Sequence, residues 1–357
     1  MSALEAGSVV VSAVLALLVV LLLLATAVEH TGRSRRTARN TRRRAELTPL
    51  VHAMLDDELP APTVSAPDQL LDELVLELLP SLRGADRAAL QAVLVERGVV
   101  DQAGVQLGAR APWRRGRAAE LLGNVASSRH VPELVALLAD PVADVRSAAA
   151  RALGRIGDVA AVEPLLAALA TRPGVPPGIV GMALLDLGTP ALPALRAAVD
   201  GAVPDARALA AELLGLHGDP GATGVLTEVV ADAHRAPAVR RAAASALGRI
   251  GSPHATPSLV LALTSTGPLD VQVAAAEALG RIGDPAGLDA LTAGLRTGAG
   301  PVRATCAEAL AGLGDAGRAR LTAHGVLSGA TGAAARAALE VLDARGSRGP
   351  GSARVAA

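Results

Sequence analysis

Aromatic side chains are almost absent from this chain of 357 residues, which has one Trp and no Phe or Tyr. A core without rings has to be filled by Ala, Leu, Val and Ile, and such side chains suit helices that pack closely. The same shortage leaves almost no ring faces on which nucleic-acid bases could stack. The composition therefore favours an aliphatic, helical protein.

Lysine is missing altogether, so the 34 basic residues are all Arg, and cysteine occurs once. Without Lys, the phosphate-binding motif GxxxxGK[ST] cannot occur. A lone Cys306 excludes a disulfide within the chain, and we expect it to be buried. The seven His are scattered, none is followed by Glu, and no GxSxG turn occurs. We therefore expect no catalytic, cofactor-binding or metal-binding residues, and a protein that is not an enzyme.

The formal net charge of zero conceals an uneven distribution. Seven arginines fall in one short segment, and beyond it the acids outnumber the arginines by five. This arginine cluster consists of Arg33, Arg35, Arg36, Arg39, Arg42, Arg43 and Arg44. A mildly acidic body disfavours nucleic acid as a partner. The cluster itself would be attracted to anionic lipid headgroups, by about 1 kcal/mol for each Arg near the surface.

An uncharged apolar run from Ser8 to Val28 precedes the arginine cluster. At about 1.5 Å per residue, such a helix spans roughly 30 Å, the thickness of a bilayer core. Because positive flanks stay in the cytoplasm, we expect a single-pass protein of the cell membrane with its N-terminus outside and the rest of the chain in the cytoplasm. The alternative is a cleaved and exported protein, since Ala25-Thr26-Ala27 resembles a signal-peptide cleavage site. Signal peptides carry basic residues before a shorter apolar stretch, so we favour the anchor.

A short sequence recurs further along the chain at a spacing of roughly thirty-one residues, within the range of stacked repeats. Its clearest copies are VRSAAARALGRIGD from Val145, VRRAAASALGRIGS from Val239 and VQVAAAEALGRIGD from Val271. Apolar residues in each copy follow helical spacing, and a Gly ends the helix. These glycines are Gly157, Gly188, Gly218, Gly251, Gly283 and Gly314. A shorter helix precedes each copy, so the pattern predicts an all-α solenoid of two-helix units.

The predicted organisation has five segments. They are a transmembrane anchor (1–30), an arginine-rich juxtamembrane segment and linker (31–67), a helical N-terminal cap (68–110), the solenoid (111–345) and a disordered tail (346–357). One unit departs from the repeat, because three Pro fall between Arg172 and Pro177. We expect the helix after these prolines to be short and the superhelix to bend there.

The repeated motif xVRxAAAxALGRIGD resembles the short HEAT repeats of phycobilisome-lyase-type proteins, over about 200 residues from Arg114 to Asp315. With the apolar run and the arginine cluster, the chain resembles bacterial membrane-anchored HEAT-repeat proteins. The resemblance implies an α-α superhelix that binds protein partners and has no fixed reaction. The paired metal-binding motifs of HEAT-type deoxyhypusine hydroxylase are absent.

A basic residue follows the first apolar position in most repeats, and we call this set the arginine column. It comprises Arg115, Arg146, Arg207, Arg240 and Arg303, with Gln272 and Pro177 as exceptions. The column could bind anions, but its regularity favours a structural role for Arg146, Arg207, Arg240 and Arg303. We expect these arginines to pair with acids such as Asp144, Asp205 or Asp270.

Five residues after the arginine column lies a second set, which we call the acidic column. It reads Glu120, Arg151, Met182, Glu212, Ser245, Glu277 and Glu308. The charged members (Glu120, Arg151, Glu212, Glu277 and Glu308) could bind a partner, although solvated helix positions often carry such charges.

Two functions remain open from the sequence. The favoured one is a membrane-tethered, cytoplasm-facing scaffold that binds and positions a protein partner, such as a membrane-embedded enzyme. The alternative is an enzyme or enzyme subunit of the bilin-lyase HEAT type. A binding site in this chain could use only one Trp and no Phe or Tyr, so it is poorly suited to stacking a planar tetrapyrrole.

Overall fold

The computed structural model describes residues 41–51, 53, 69–201 and 203–346, and every regular element within these ranges is helical. The described residues divide into two compact units, with the boundary between Val105 and Gln106. The predicted all-α solenoid is thereby confirmed. The predicted membrane anchor, most of the juxtamembrane segment and linker, and tail residues 347–357 lie outside the described residues.

Before the repeats, the residues that the structure describes form four α-helices. They are α1 (residues 41–51), α2 (Gln69–Leu78), α3 (Gly84–Glu96) and α4 (Val99–Gln106). Leu71 and Leu94 are completely buried. The Nε atom of Arg97 donates a hydrogen bond of 2.6 Å to Oδ1 of Asp72 and joins the end of α3 to α2. Residues 69–106 are thus largely helical, and their role as a cap stays a prediction.

The repeats are built from pairs of helices in which a short first helix precedes a longer second one. In chain order the helices are α5 (Pro112–Asn124), α6 (Val131–Ala136), α7 (Ala143–Ile156), α8 (Val162–Ala167), α9 (Pro177–Leu187), α10 (Leu192–Val199), α11 (Pro204–His217), α12 (Thr223–Ala231), α13 (Pro237–Ile250), α14 (Thr256–Thr264), α15 (Leu269–Ile282), α16 (Leu288–Thr297), α17 (Gly300–Ala311), α18 (Gly314–Gly325) and α19 (Gly329–Gly346). The odd-numbered members from α5 onward are the second helices, and each packs beside the next one along the chain.

Glycine and aspartate direct the chain from one unit to the next. All six glycines predicted to end second helices have positive φ angles, between 61° and 76°. Only Gly adopts this conformation at little cost. The prediction is wrong for Gly314, because α17 already ends at Ala311 and Gly314 begins α18. After three of these glycines an Asp side chain accepts a hydrogen bond from the amide two residues on, as Asp158 does from Ala160 at 2.9 Å. Asp219 and Asp284 make the same turn.

Neighbouring second helices meet where a glycine of one helix faces an alanine of the next. A methyl group built on Gly154 would lie 2.6 Å from Cα of Ala183, so only Gly fits at this distance. The same close contact recurs in Gly123–Ala152, Gly215–Ala246, Gly248–Ala278 and Gly280–Ala309. Close approach of the backbones buries the alanines around it, and Ala149, Ala243 and Ala275 are completely inaccessible. Small side chains therefore form the core between repeats.

The contact between α9 and α11 is the exception, and we call it the leucine junction. Leu185 occupies the glycine position on α9, and Leu213 occupies the facing alanine position on α11. Leu209 takes a further alanine position and lies 3.3 Å from a methyl group built on Gly181. As a result, α9 and α11 approach each other at fewer residues than other neighbouring second helices from α5 to α17.

The helix that enters the leucine junction is short. α9 has 11 residues, whereas α7 and α11 have 14 each. The shortening predicted from the three prolines is therefore confirmed. The bulkier residues of the leucine junction were not part of that prediction.

Candidate protein-binding surface

The arginine column lies at the inter-helix turns and is largely withdrawn from solvent. Arg146 and Arg240 are each 5% exposed. Arg146 donates hydrogen bonds to the carbonyl oxygens of Gly174 at 3.0 Å and Asp140 at 2.7 Å. Arg240 donates through Nε and Nη2 to the carbonyl of Val230 at 3.1 and 2.9 Å. These side chains satisfy backbone acceptors within the repeats.

Other members of the column bind carbonyls in the same way. Arg207 donates to the carbonyl of Gly201 at 2.7 Å, and Gln272 donates to that of Ser265 at 2.6 Å. The Nε atom of Arg303 is buried and has no hydrogen-bond partner. The structural role of these residues remains our interpretation.

The prediction that the arginine column pairs with acids is wrong for three of its arginines. Arg146, Arg207 and Arg240 bind carbonyls and not Asp144, Asp205 or Asp270. The physical reason is that helix ends and short turns leave backbone carbonyls without partners. The guanidinium group, which has five N–H donors, satisfies them.

Arg115 is the member of the column that forms an ion pair. Its Nε and Nη2 atoms donate to the two carboxylate oxygens of Asp140 at 2.7 and 2.9 Å. Burial alone would raise the pKa of Asp140. Hydrogen bonds from Arg115 and from the amide of Val142, together with the charges of Arg115 and Arg146, outweigh burial and lower that pKa below its ordinary value. The pair ties α5 to the turn that precedes α7.

The acidic column lies on the exposed side of the second helices, as its position in the repeat predicts. Arg151 approaches Glu120 of the preceding second helix at 3.7 Å, and both side chains are substantially exposed. Arg241 approaches Glu212 in the same manner at 3.9 Å. Within α15, Arg281 lies 3.6 Å from Glu277. Such long, solvated ion pairs contribute little stability, so these groups can exchange partners readily.

Sequence reasoning missed two features of this exposed face. The Arg of the repeated text ALGRIG is exposed in three second helices, at Arg155, Arg249 and Arg281. In addition, Met182 is 58% exposed and Leu216 is 57% exposed, on the two helices of the leucine junction. The repeated Arg was visible in the sequence. Because an Arg stands at the position of Leu216 in three other repeats, the exposure of that position could have been inferred as well.

Only three arginines of the predicted membrane-surface cluster lie within the described residues. Arg44 donates to both carboxylate oxygens of Glu77, at 3.2 and 2.7 Å. Arg42 and Arg43 both lie near Glu46 on the same helix. The other four members, Arg33, Arg35, Arg36 and Arg39, lie outside these ranges.

Within the described ranges, no group of three or more His, Cys, Asp or Glu side chains could hold a metal ion. Cys306 is buried as expected, and burial raises the pKa of its thiol to about 12. Over the same ranges, no single helix is long and apolar enough to cross a bilayer. The strongly bent pair Pro177–Leu187 and Thr189–Val199 reaches that length and composition only when its two halves are combined.

The repeat units match the family profile of HEAT repeats over residues 104–175, 191–269, 232–311 and 257–343. The chain belongs to the HEAT-repeat family. The resemblance to HEAT repeats that the repeated motif indicates is therefore confirmed. No curated protein matches the chain.

Solved structures of similar helical proteins include Kap121p bound to the SUMO protease Ulp1p, at 13% identity and a TM-score of 0.51. That match covers 82% of this chain and 37% of Kap121p. Human deoxyhypusine hydroxylase is 23% identical over 76% of this chain and 96% of its own, with a TM-score of 0.31. The CpcE–CpcF complex of phycocyanin lyase from Nostoc sp. PCC7120 is 25% identical over 62% and 91%, with a TM-score of 0.28. The likeness to Kap121p supports the solenoid fold.

Proposed function

We propose that this protein is a non-catalytic scaffold whose repeats bind and position a protein partner at the cytoplasmic face of a membrane. The observation that carries the proposal is the exposed face of the second helices, which carries charged side chains along the repeats and an apolar surface on α9 and α11. Solenoids present such extended surfaces to partners. In this proposal the apolar N-terminal run is the membrane anchor.

Tethering explains how modest contacts on this face would be enough to hold a partner. Two modules held near one surface meet at a high effective concentration, so the apparent affinity exceeds that of the contacts alone. A membrane-embedded enzyme is the kind of client that such a tether favours. The arginine cluster would reinforce the tether on anionic lipid.

The test compares the full chain with residues 45–357 in membrane fractions washed with carbonate. The full chain should remain in the membrane, and the truncated chain should become soluble and release its client. Leu18→Arg in the full chain is the matched control, because a central Arg weakens insertion by roughly 3 kcal/mol without shortening the chain. Retention of residues 45–357 in the membrane would contradict the proposal, and so would a mature N-terminus immediately after Ala27.

The repeated motif also supports a second candidate, an enzyme or enzyme subunit of the bilin-lyase HEAT type. Binding of a planar tetrapyrrole changes its absorbance spectrum, so a titration of the purified full chain with a bilin tests this candidate directly. A saturable spectral shift would favour the enzyme. An unchanged spectrum would favour the scaffold.

A further inference from the structure

The leucine junction interrupts an otherwise uniform exposed face with an apolar surface. Met182 and Leu216 are more than half exposed there, and Leu185 and Leu209 are partly exposed between them. We call these four residues the junction patch. In α7 and α13, the positions of Met182 and Leu216 are held by polar or charged residues. The patch is therefore confined to α9 and α11.

Arginines border the junction patch on both sides. Arg151 and Arg155 lie on α7 before it, and Arg241 and Arg249 lie on α13 after it. The contacts of three of them are solvent-exposed. Arg151 and Arg241 make the long ion pairs described above, and Arg155 donates to Oδ1 of Asn124 at 2.8 Å on an exposed surface.

Two acids complete the surroundings of the patch. Asp186 is exposed one turn after Met182, and Glu212 lies one turn before Leu216, where it approaches Arg241. The arginines thus stand at the two ends of the surface, and the acids stand within it. This order of charges selects a ligand that is acidic at its ends and not at its centre.

We propose that the junction patch binds an amphipathic helix of a partner protein, with apolar residues on the patch and acidic residues at both ends facing the flanking arginines. The inference rests on the proposed scaffold function and names the class of partner segment. Helices at neighbouring positions are about 10 Å apart, so the surface from α7 to α13 spans roughly 30 Å. A helix of about 20 residues has this length, and burial of an apolar helical face in a groove is a common mode of recognition.

The first experiment uses the full chain in detergent and two synthetic, fluorescein-labelled helical peptides of equal length. Both carry the same leucines on one face, and one has Glu at both ends whereas the other has Arg. Fluorescence anisotropy should show the Glu peptide binding at least about tenfold more tightly, with the difference reduced at high salt. Equal affinities, or tighter binding of the Arg peptide, would overturn the proposal.

Variants of the patch then locate the site. Met182→Glu with Leu216→Glu should weaken binding of the Glu peptide at least about tenfold, because like charges and lost apolar contact add. Leu261→Glu is the matched control, since Leu261 is 56% exposed on α14, away from the patch. Arg249→Gln should weaken binding of the Glu peptide and should not weaken binding of the Arg peptide, because it removes a positive charge. Equal effects of the patch variant and of Leu261→Glu would place binding elsewhere, and circular dichroism of each variant checks that the fold is intact.

Failure of this inference is distinguishable from failure of the scaffold proposal. Proximity labelling in cells identifies clients of the wild-type full chain. If the Met182→Glu/Leu216→Glu variant labels the same clients to the same extent, the junction patch is not the binding site and the scaffold stands. If wild type and residues 45–357 label the same proteins equally, the tethered scaffold itself is wrong.

Discussion

Two glycines on the same helix allow a direct test of how the repeats stack. Gly116 and Gly123 both lie in α5, but a methyl group built on Gly116 meets nothing within 4 Å. One built on Gly123 would lie 2.6 Å from Cα of Ala152 and 2.9 Å from its Cβ. We expect Gly116→Ala to stabilise the protein and Gly123→Ala to destabilise it.

The magnitudes follow from opposing contributions. Carbon atoms in contact prefer a separation of about 3.5–4.0 Å, so the new methyl at position 123 overlaps Ala152 by about 1 Å. Overpacking of this kind costs about 1–3 kcal/mol. The higher helix propensity of Ala offsets up to about 1 kcal/mol of this cost, and it offsets less near a helix end. The net loss for Gly123→Ala should be about 1–2 kcal/mol, against a gain of about 0.5–1 kcal/mol for Gly116→Ala.

Urea denaturation followed by circular dichroism measures both changes. The midpoints of the two variants should move in opposite directions while the slopes stay close to that of wild type. A Gly123→Ala variant as stable as wild type would refute the reasoning, because it would mean that α5 and α7 separate at no cost. A shift of the two variants in the same direction would refute it as well.

Three further predictions concern buried polar groups and the thiol. Arg146→Ala should reduce the free energy of unfolding by about 2 kcal/mol because buried carbonyls lose their donor, whereas exposed Arg155→Ala should change it by less than about 0.5 kcal/mol in the same urea assay. The lowered pKa of Asp140 means that its carboxylate stabilises the fold above the unfolded-state pKa near 4 and that this stability is lost as the pH falls through the folded-state pKa. The difference in unfolding free energy between wild type and Asp140→Asn should thus shrink below about pH 4, and a difference that is constant with pH would contradict the assignment. Cys306, with its pKa raised to about 12, should react with a thiol reagent at pH 8 only after denaturation, and rapid reaction of the folded protein would show that the site is open.

The repeating part of the fold was predictable because local signals and packing agree in it. Gly157 and Gly251, for example, end helices with positive φ, as their place after a continuous apolar stripe indicates. The alanines of this stripe, such as Ala149 and Ala243, are buried because the same stripe recurs in the next unit. Agreement between helix propensity, capping and periodicity is what makes a repeat recognisable from sequence.

The candidate surface was predictable only in part. The acidic column lies where the spacing places it, but the partners of Arg146 and Arg240 are carbonyls of turns whose geometry the sequence does not specify. The looser contact of α9 with α11 accompanies Leu185 and Leu213, which stand where other repeats have glycine and alanine. Packing between units depends on pairs of residues from two helices, so the sequence of one helix alone does not predict it.

The glycine–alanine contacts have a consequence for how the length of this protein can change during evolution. Units between α11 and α17 present chemically equivalent surfaces to the neighbours before and after them, so duplication or loss of one unit there creates no new kind of joint. The leucine junction has no such equivalence, because Leu185 and Leu213 stand where the other repeats have glycine and alanine. Recombination that separated these two leucines would set a leucine against a backbone that tolerates only glycine or alanine. The order of units around the leucine junction is therefore constrained, whereas the number of units beyond it is free to vary.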